Sequence, residues 1–235
     1  MEACGPPGPS AALATDHLVV RRRKAVVLDQ ITVGFARGAV TAVVGPSGAG
    51  KTSLLRCLNR LDDPTSGRVL LDGEDIRQLD PRQLRRRVGM VFAAPVLFSG
   101  DVRANLAYGL GGADDGRLAA ALNAAQLPTS FLDRDAGGLS AGEGQRVAIA
   151  RALVRDPEAL LLDESTSALD QDAAGGIEAL VRRLAEDRGL TVVMVTHDLD
   201  QAERVAGAAV LLVRGRVALA GTARQVRCAW REAVG

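Results

Sequence analysis

The run Gly45-Pro46-Ser47-Gly48-Ala49-Gly50-Lys51-Thr52-Ser53 combines the residue types needed to hold a polyphosphate. Glycines let a backbone turn its N–H groups inward around phosphate oxygens, and the N-terminus of a following helix adds a favourable field. At the spacing GxxxxGK[ST], Lys51 is suited to bridging the β- and γ-phosphates of a nucleotide. The Thr52 hydroxyl is suited to ligating Mg²⁺. Apolar Ala39–Val44 leads into the run and an apolar helical stretch follows it, which is the strand–loop–helix setting that the spacing requires.

A second apolar run, Ala159–Leu162, ends in Asp163 and Glu164. Side chains alternate along a strand, so the two acids need not share a role. Asp163 is suited to holding Mg²⁺, directly or through water, and Glu164 to polarising the water that attacks a γ-phosphate. A third run, Thr191–Val195, leads to Thr196-His197-Asp198. A strand here is expected beside the Asp163 strand, which places His197 at the same sheet edge, within reach of a γ-phosphate. By residue type alone such a histidine is more often a surface or capping residue. Ser140, in Leu139-Ser140-Ala141-Gly142-Glu143, is a good helix N-cap, and the small residues after it can turn N–H groups toward an anion. That second anion site falls outside the sheet, so it is suited to a nucleotide held by another molecule.

The elements that must carry these residues follow from the same apolar runs. Val88–Phe92 and Val210–Val213 complete a set of short, continuous runs typical of strands covered on both faces. Helical stretches at Thr52–Asn59, Gly144–Leu153 and Ala173–Glu186 alternate with them, which predicts an α/β fold with a mainly parallel sheet. From about residue 95 to 156 the alternation breaks into Ala-, Leu- and Arg-rich sequence, predicted as an inserted helical subdomain. Residues 1–15, rich in Pro and Gly at the start, lack a basic opening and a long apolar segment. They are expected to be a disordered leader rather than a secretory signal. Residues 226–235 are expected to be a C-terminal tail. No stretch reaches the roughly 18 apolar residues of a membrane helix, so membrane contact is expected only through a partner.

With 29 Lys plus Arg against 28 Asp plus Glu, the net charge of +1 argues against nucleic acid as a partner. Only Lys24 and Lys51 are lysines, so all other basic residues are arginine. A compact ammonium fits a ring of backbone amides where the planar fork of arginine would not. Cys4, Cys57 and Cys228 are odd in number and far apart, which fits free thiols in a reducing cytosol.

In this order the motifs resemble those of the ATP-binding-cassette (ABC) ATPase family. GPSGAGKT is similar to its Walker A motif, LSAGE to its signature, ALLLDE to its Walker B, Ser167-Ala168-Leu169-Asp170 to its D-loop and His197 to its switch histidine. The resemblance covers roughly residues 16 to 220, or 16–225 as a nucleotide-binding domain. It implies a P-loop fold with a RecA-like core, an N-terminal antiparallel β element and the inserted helical subdomain. It also implies a head-to-tail homodimer with ATP sandwiched between the Walker motifs of one subunit and Ser140, Ala141, Gly142 and Glu143 of the other. Hydrolysis would then drive a polytopic transmembrane permease subunit, from a cytoplasmic position on the inner face of the plasma membrane. The partner's coupling helix would dock around Phe92–Phe98 and Asp101–Tyr108. LNRL after Walker A and LRRRVGMVFAAPVLFSGDVRANLAYG are most similar to small stand-alone cassettes of bacterial metal or iron export and of plant aluminium tolerance, and phosphate-import cassettes share some of these features.

The chain departs from that pattern in four places. The family's Q-loop glutamine falls at Ala93, which can neither touch Mg²⁺ nor the attacking water. Weakened hydrolysis or coupling is the consequence, with an ATP-dependent regulatory cassette as the alternative reading. The aromatic residue that stacks on adenine falls at Arg22. A guanidinium can also stack on a purine face, but Arg21-Arg22-Arg23-Lys24 reads equally as a solvated basic turn. The first signature glycine is Ala141, and the usual proline after Glu164 is Ser165.

Overall fold

The structure is a computed structural model that describes residues 11–23, 25–112 and 114–234. Among these residues, ten strands fall into two sheets. The first is antiparallel, with β1 (Ala11–Arg22) between β2 (Ala25–Ala36) and β4 (Ser66–Leu71), and the short β5 (Glu74–Asp75) outside β4. The second contains β3 (Val40–Val44), β6 (Val88–Val91), β7 (Ala159–Asp163), β8 (Thr191–Val195), β9 (Ala208–Val213) and β10 (Arg216–Gly221), in the order β10-β9-β3-β8-β7-β6. Its pairings are parallel except for the β9–β10 hairpin.

Alternation along the central strands divides their side chains between two cores. Ala42, Leu160, Leu162, Val192 and Leu211 face one cluster, whereas Val43, Leu161, Val193 and Leu212 face the other. Helix α1 (Lys51–Leu58) buries Leu54, Leu55 and Leu58 in the second cluster, together with Leu13, Ile31 and Phe35 of the antiparallel sheet. Helix α2 (Pro81–Arg87) contributes Leu84 to that side. The opposite face is covered by α3 (Val102–Ala107), α4 (Asp115–Ala124), α5 (Ala141–Leu153), α6 (Gln171–Arg188), α7 (Leu199–Val205) and α8 (Ala223–Val234). Double coverage is what allows strands with five successive buried residues, such as β7 and β8.

The predicted strands and helices stand within a few residues of these elements, and the helical insertion contains only an isolated bridge, Asp101 to Asp135, among the described residues. Two expectations change. Ala11–Thr15 do not belong to a leader: they form the first part of β1, with Leu13 and Thr15 fully buried. Residues 1–10, including Cys4, lie outside the described residues. Nor is the C-terminus a tail from 226, because Val226 is buried and Trp230 packs against the same core on α8. Cys57 is buried in α1 and Cys228 exposed on α8, both as free thiols, and burial pushes the Cys57 thiol up to about 12. No described helix is long and apolar enough to cross a membrane.

Candidate functional site

Three adjacent strands deliver the residues singled out by spacing. β8 lies between β3 and β7, so the C-terminal ends of all three meet at one edge of the sheet. From β3 comes the loop Gly45–Gly50 with Lys51 and Thr52; from β7, Asp163 and Glu164; from β8, Thr196 and His197. Ligand sites of open α/β sheets form beyond the carboxyl ends of such strands.

The loop turns tightly. Ala49 N–H donates to the Pro46 carbonyl at 3.1 Å, and Gly215 N–H donates to the Ala49 carbonyl at 3.1 Å, which ties the loop to the β9–β10 turn. At Gly45 a Cβ would lie 2.1 Å from the Leu212 carbonyl oxygen. At Gly50, φ is +101° and a Cβ would meet Leu28 at 2.6 Å, so both positions exclude any side chain. Gly50 is also the N-cap of α1 and offers its first turn no side-chain acceptor. By contrast, α2, α3, α4, α5, α6 and α7 are capped by Asp80, Asp101, Asp114, Ser140, Asp170 and Asp198. A helix start left without a cap keeps N–H donors open to an anion. Ser47 and Gly48 are exposed beside these donors, and Ser53 is half-buried.

Lys51 is buried, and its ammonium donates to the Gly45 and Pro46 carbonyls at 2.7 and 3.1 Å. Burial draws its pKa below the usual lysine range, while the charges of Glu164 and Asp163 act in the opposite sense. Thr52 Oγ1 donates to Asp163 Oδ1 at 3.1 Å. Burial raises the Asp163 pKa and the Thr52 hydrogen bond offsets part of that rise. Glu164 occupies the left-handed region at φ +47°, where a non-glycine residue is strained. Its N–H donates to the Val195 carbonyl at 3.1 Å, and its Oε2 lies 3.6 Å from His197 Nδ1. The two side chains share a groove of about 760 Å³ that continues past Thr166, Gln201 and Glu178.

Other candidates stand apart from this edge. Ser140 to Glu143 begin α5, whose apolar side belongs to the first cluster, whereas α1 belongs to the second. Ser140 and Ala141 are exposed and Gly142 is half-buried. Glu143, expected among the nucleotide contacts, is instead engaged within its own helix start. Its Oε2 accepts from Ser140 N–H at 2.8 Å, its N–H donates to Ser140 Oγ at 3.3 Å, and Oε1 accepts from Arg134 at 2.8 Å. The reciprocal bonds make a capping box. Arg22 is half-exposed at the end of β1, with its guanidinium on Asp62, which also holds Arg56. Ala93 is half-buried beside Phe92, whose carbonyl accepts from Gln145 Nε2 at 3.1 Å. Phe92, Val96, Phe98 and Tyr108 are exposed around a groove of about 270 Å³ whose other wall includes Arg85, Arg151 and Arg155.

Spacing did not single out Glu178, Gln201 or Arg204, which line the groove as a polar cluster in which Glu178 and Gln201 are buried and Arg204 is exposed. On amphipathic helices such residues look like a solvated face, so their burial has no local signal.

The family model for "ABC transporter" matches residues 28–167. Protein STAR1 of Oryza sativa subsp. japonica is 47% identical over 195 residues, covering 81% of this chain and 56% of that protein. ABC transporter I family member 17 of Arabidopsis thaliana is 45% identical over 195 residues, covering 81% of this chain and 74% of that one. Among solved structures, cbiO1 from Clostridium perfringens, part of the ABC transporter complex cbiONQ, superposes with a TM-score of 0.86 at 30% identity. That match covers 93% of this chain and 91% of the other.

Proposed function

The chain belongs to the ABC transporter family as an ATP-binding member, and on that premise we propose that it is an ATP-hydrolysing energy subunit. The carrying observation is the convergence of an uncapped helix start, Lys51, Thr52, Asp163, Glu164 and His197 at the ends of three adjacent strands. The open N–H groups of Gly48, Gly50, Lys51 and Thr52 receive the phosphate oxygens. Lys51 exchanges its two backbone carbonyls for the β- and γ-phosphates, which restore the charge partner that burial removed. Glu164 takes the proton of the attacking water, and His197 contacts the γ-phosphate.

Thr52 and Asp163 are the residues to hold Mg²⁺. Mg²⁺ binds through one or two protein oxygens plus substrate phosphates and water, and a hydroxyl paired with one buried carboxylate fits that demand. When bound, the ion neutralises phosphate charge. Arg22 lies where the family places its adenine-stacking residue, and its flat guanidinium serves that purpose from its seat on Asp62.

Ser140, Ala141 and Gly142 begin a helix that shares no core with α1. They therefore serve the nucleotide of a second copy, which makes the working form a homodimer. The groove edged by Phe92, Val96, Phe98 and Tyr108 receives a helix of a separate transmembrane permease subunit, which holds the chain at the cytoplasmic face of the membrane. A second reading, an ATP-dependent regulatory cassette with little turnover, is favoured by Ala93, a side chain with no polar atom at the Q-loop position.

Substituting Glu164→Gln tests the main reading. ATP should then accumulate in a stable dimer on size-exclusion chromatography at millimolar nucleotide with Mg²⁺, and Lys51→Ala should abolish that dimer. A Glu164→Gln chain that stays monomeric there would refute the sandwich mechanism.

A further inference from the structure

Along the groove shared by Glu164 and His197, a polar cluster centred on buried Glu178 and Gln201 joins the segments on which those two residues ride. Glu178 of α6 is 7% exposed, and Arg204 of α7 holds its carboxylate by two bonds, Nη2 to Oε1 at 2.8 Å and Nε to Oε2 at 3.1 Å. Gln201 of α7 is 5% exposed and spends its amide nitrogen on two acceptors. It donates to Glu178 Oε1 at 3.0 Å and to Thr166 Oγ1 at 2.8 Å. Arg182 of α6 donates to the Arg204 carbonyl at 2.8 Å. Thr166 follows Glu164 by two residues, and Gln201 follows His197 by about one helical turn.

These bonds have a geometric consequence. Glu164 is held in a left-handed conformation that surrounding structure must maintain. On one side its N–H is fixed to the Val195 carbonyl of β8. On the other, the turn closes on itself through Ser167 N–H to the Glu164 carbonyl and Leu169 N–H to the Thr166 carbonyl, and the Gln201 bond to Thr166 is what ties that turn to α7. Apolar side chains at 178 and 201 would hold α6 against α7 without the desolvation cost of a buried carboxylate and amide. They would not, however, fix the distance from Thr166 to α7, because hydrophobic contact is non-directional. The Gln201 amide does fix it, and Glu178 with Arg204 sets the plane in which the amide donates.

We propose that Gln201 is a positioning residue for hydrolysis: by tying Thr166 to α7 it sets the spacing of Glu164 and His197 around the γ-phosphate, with Glu178 and Arg204 orienting its amide. The inference rests on the hydrolytic reading above. The Gln201 amide bonds Thr166 and Glu178, and among the described residues neither Gln201 nor Thr166 hydrogen-bonds to the phosphate loop, so nucleotide affinity should be indifferent to both.

The test is a double-mutant cycle on the full chain. Gln201→Leu and Thr166→Val should each lower kcat about tenfold with KM for ATP unchanged, since misplacement of reacting groups acts on the chemical step. Thr166→Ser, which keeps the acceptor, should retain the rate. The double variant should be no slower than the slower single one. Multiplied losses, or a raised KM with kcat unchanged, would overturn the proposal. Amide hydrogen exchange without nucleotide provides a second readout. The N–H groups of Ser167 and Leu169, bonded to the Glu164 and Thr166 carbonyls at 3.0 and 3.1 Å, should exchange about tenfold faster in Gln201→Leu while residues 51–54 do not change. Equal exchange at 167 and 169 would refute the tether itself. A wild-type chain that releases phosphate no faster than Lys51→Ala would instead fail the hydrolytic reading, with the tether still decided by exchange.

Discussion

Ala93 sets the sharpest question at the scale of single residues. Its neighbour Phe92 is held by Gln145, so the backbone there is anchored, but the side chain at 93 cannot hydrogen-bond to a water or an ion. Ala93→Gln should raise steady-state phosphate release by about tenfold or more, with roughly 10²–10³-fold as the ceiling that one preorganised polar donor supplies. An unchanged rate would mean that the missing amide does not limit turnover. The residues around the phosphate loop were legible from spacing because a polyphosphate dictates both type and interval. Glu143 was not, since a carboxylate three residues after Ser140 satisfies a capping box as readily as it would stand beside a ligand. Gln201 and Glu178 were hidden for a different reason: their burial depends on α6 and α7 meeting, which no local pattern encodes.

At the scale of elements, the contrast between α1 and α5 can be measured. Both starts are proposed to face phosphate, yet α1 has no side-chain cap and α5 has Ser140. Ser140→Ala should cost about 1 kcal/mol, a fall of about 2–4 °C in melting temperature for a chain of this size, and should weaken the ATP-dependent dimer. Ser140→Asp separates the two roles. Aspartate caps as well as serine, so melting should return to the wild-type value, whereas its charge opposes a γ-phosphate and the dimer should be lost. A dimer that survives Ser140→Asp would show that α5 serves no nucleotide. The central strands were readable because both faces are covered and the runs are continuous. β1 escaped notice over Ala11–Thr15, since its small residues follow a Pro/Gly-rich start and its buried positions depend on pairing with β2 and β4. Likewise, α8 looked like a tail because its few apolar residues, Val226 and Trp230 among them, are separated by charges.

Over the whole molecule, ion pairs bind distant segments and make stability depend on acid. Arg87 lowers the Glu158 pKa, joining the end of α2 to the start of β7; Arg204 does the same for Glu178, Arg134 for Glu143, and Arg56 for Asp62. A carboxylate with a depressed folded-state pKa adds stability above its ordinary value, 3.8 for Asp and 4.5 for Glu, and that stability is lost as pH falls through the folded value. Asp163 has the opposite sign, because burial raises its pKa. Asp16 and Asp75 are lowered as well, by His17 and Arg77, so with six carboxylates opposing one the melting temperature should hold down to about pH 5 and then fall steadily toward pH 3, as followed by calorimetry. A melting temperature that rises over that interval would mean that Asp163 dominates. The strand order has a further consequence, for the order in which the molecule comes into being. β3 and its phosphate loop leave the ribosome early, but β8, the strand that must lie between β3 and β7, ends only at Val195. Until then the loop has neither its carboxylates nor its histidine beside it, and Val40 to Val43 have no neighbour on that side. ATP therefore cannot assist folding until synthesis has passed His197: only then does nucleotide have a complete site to stabilise.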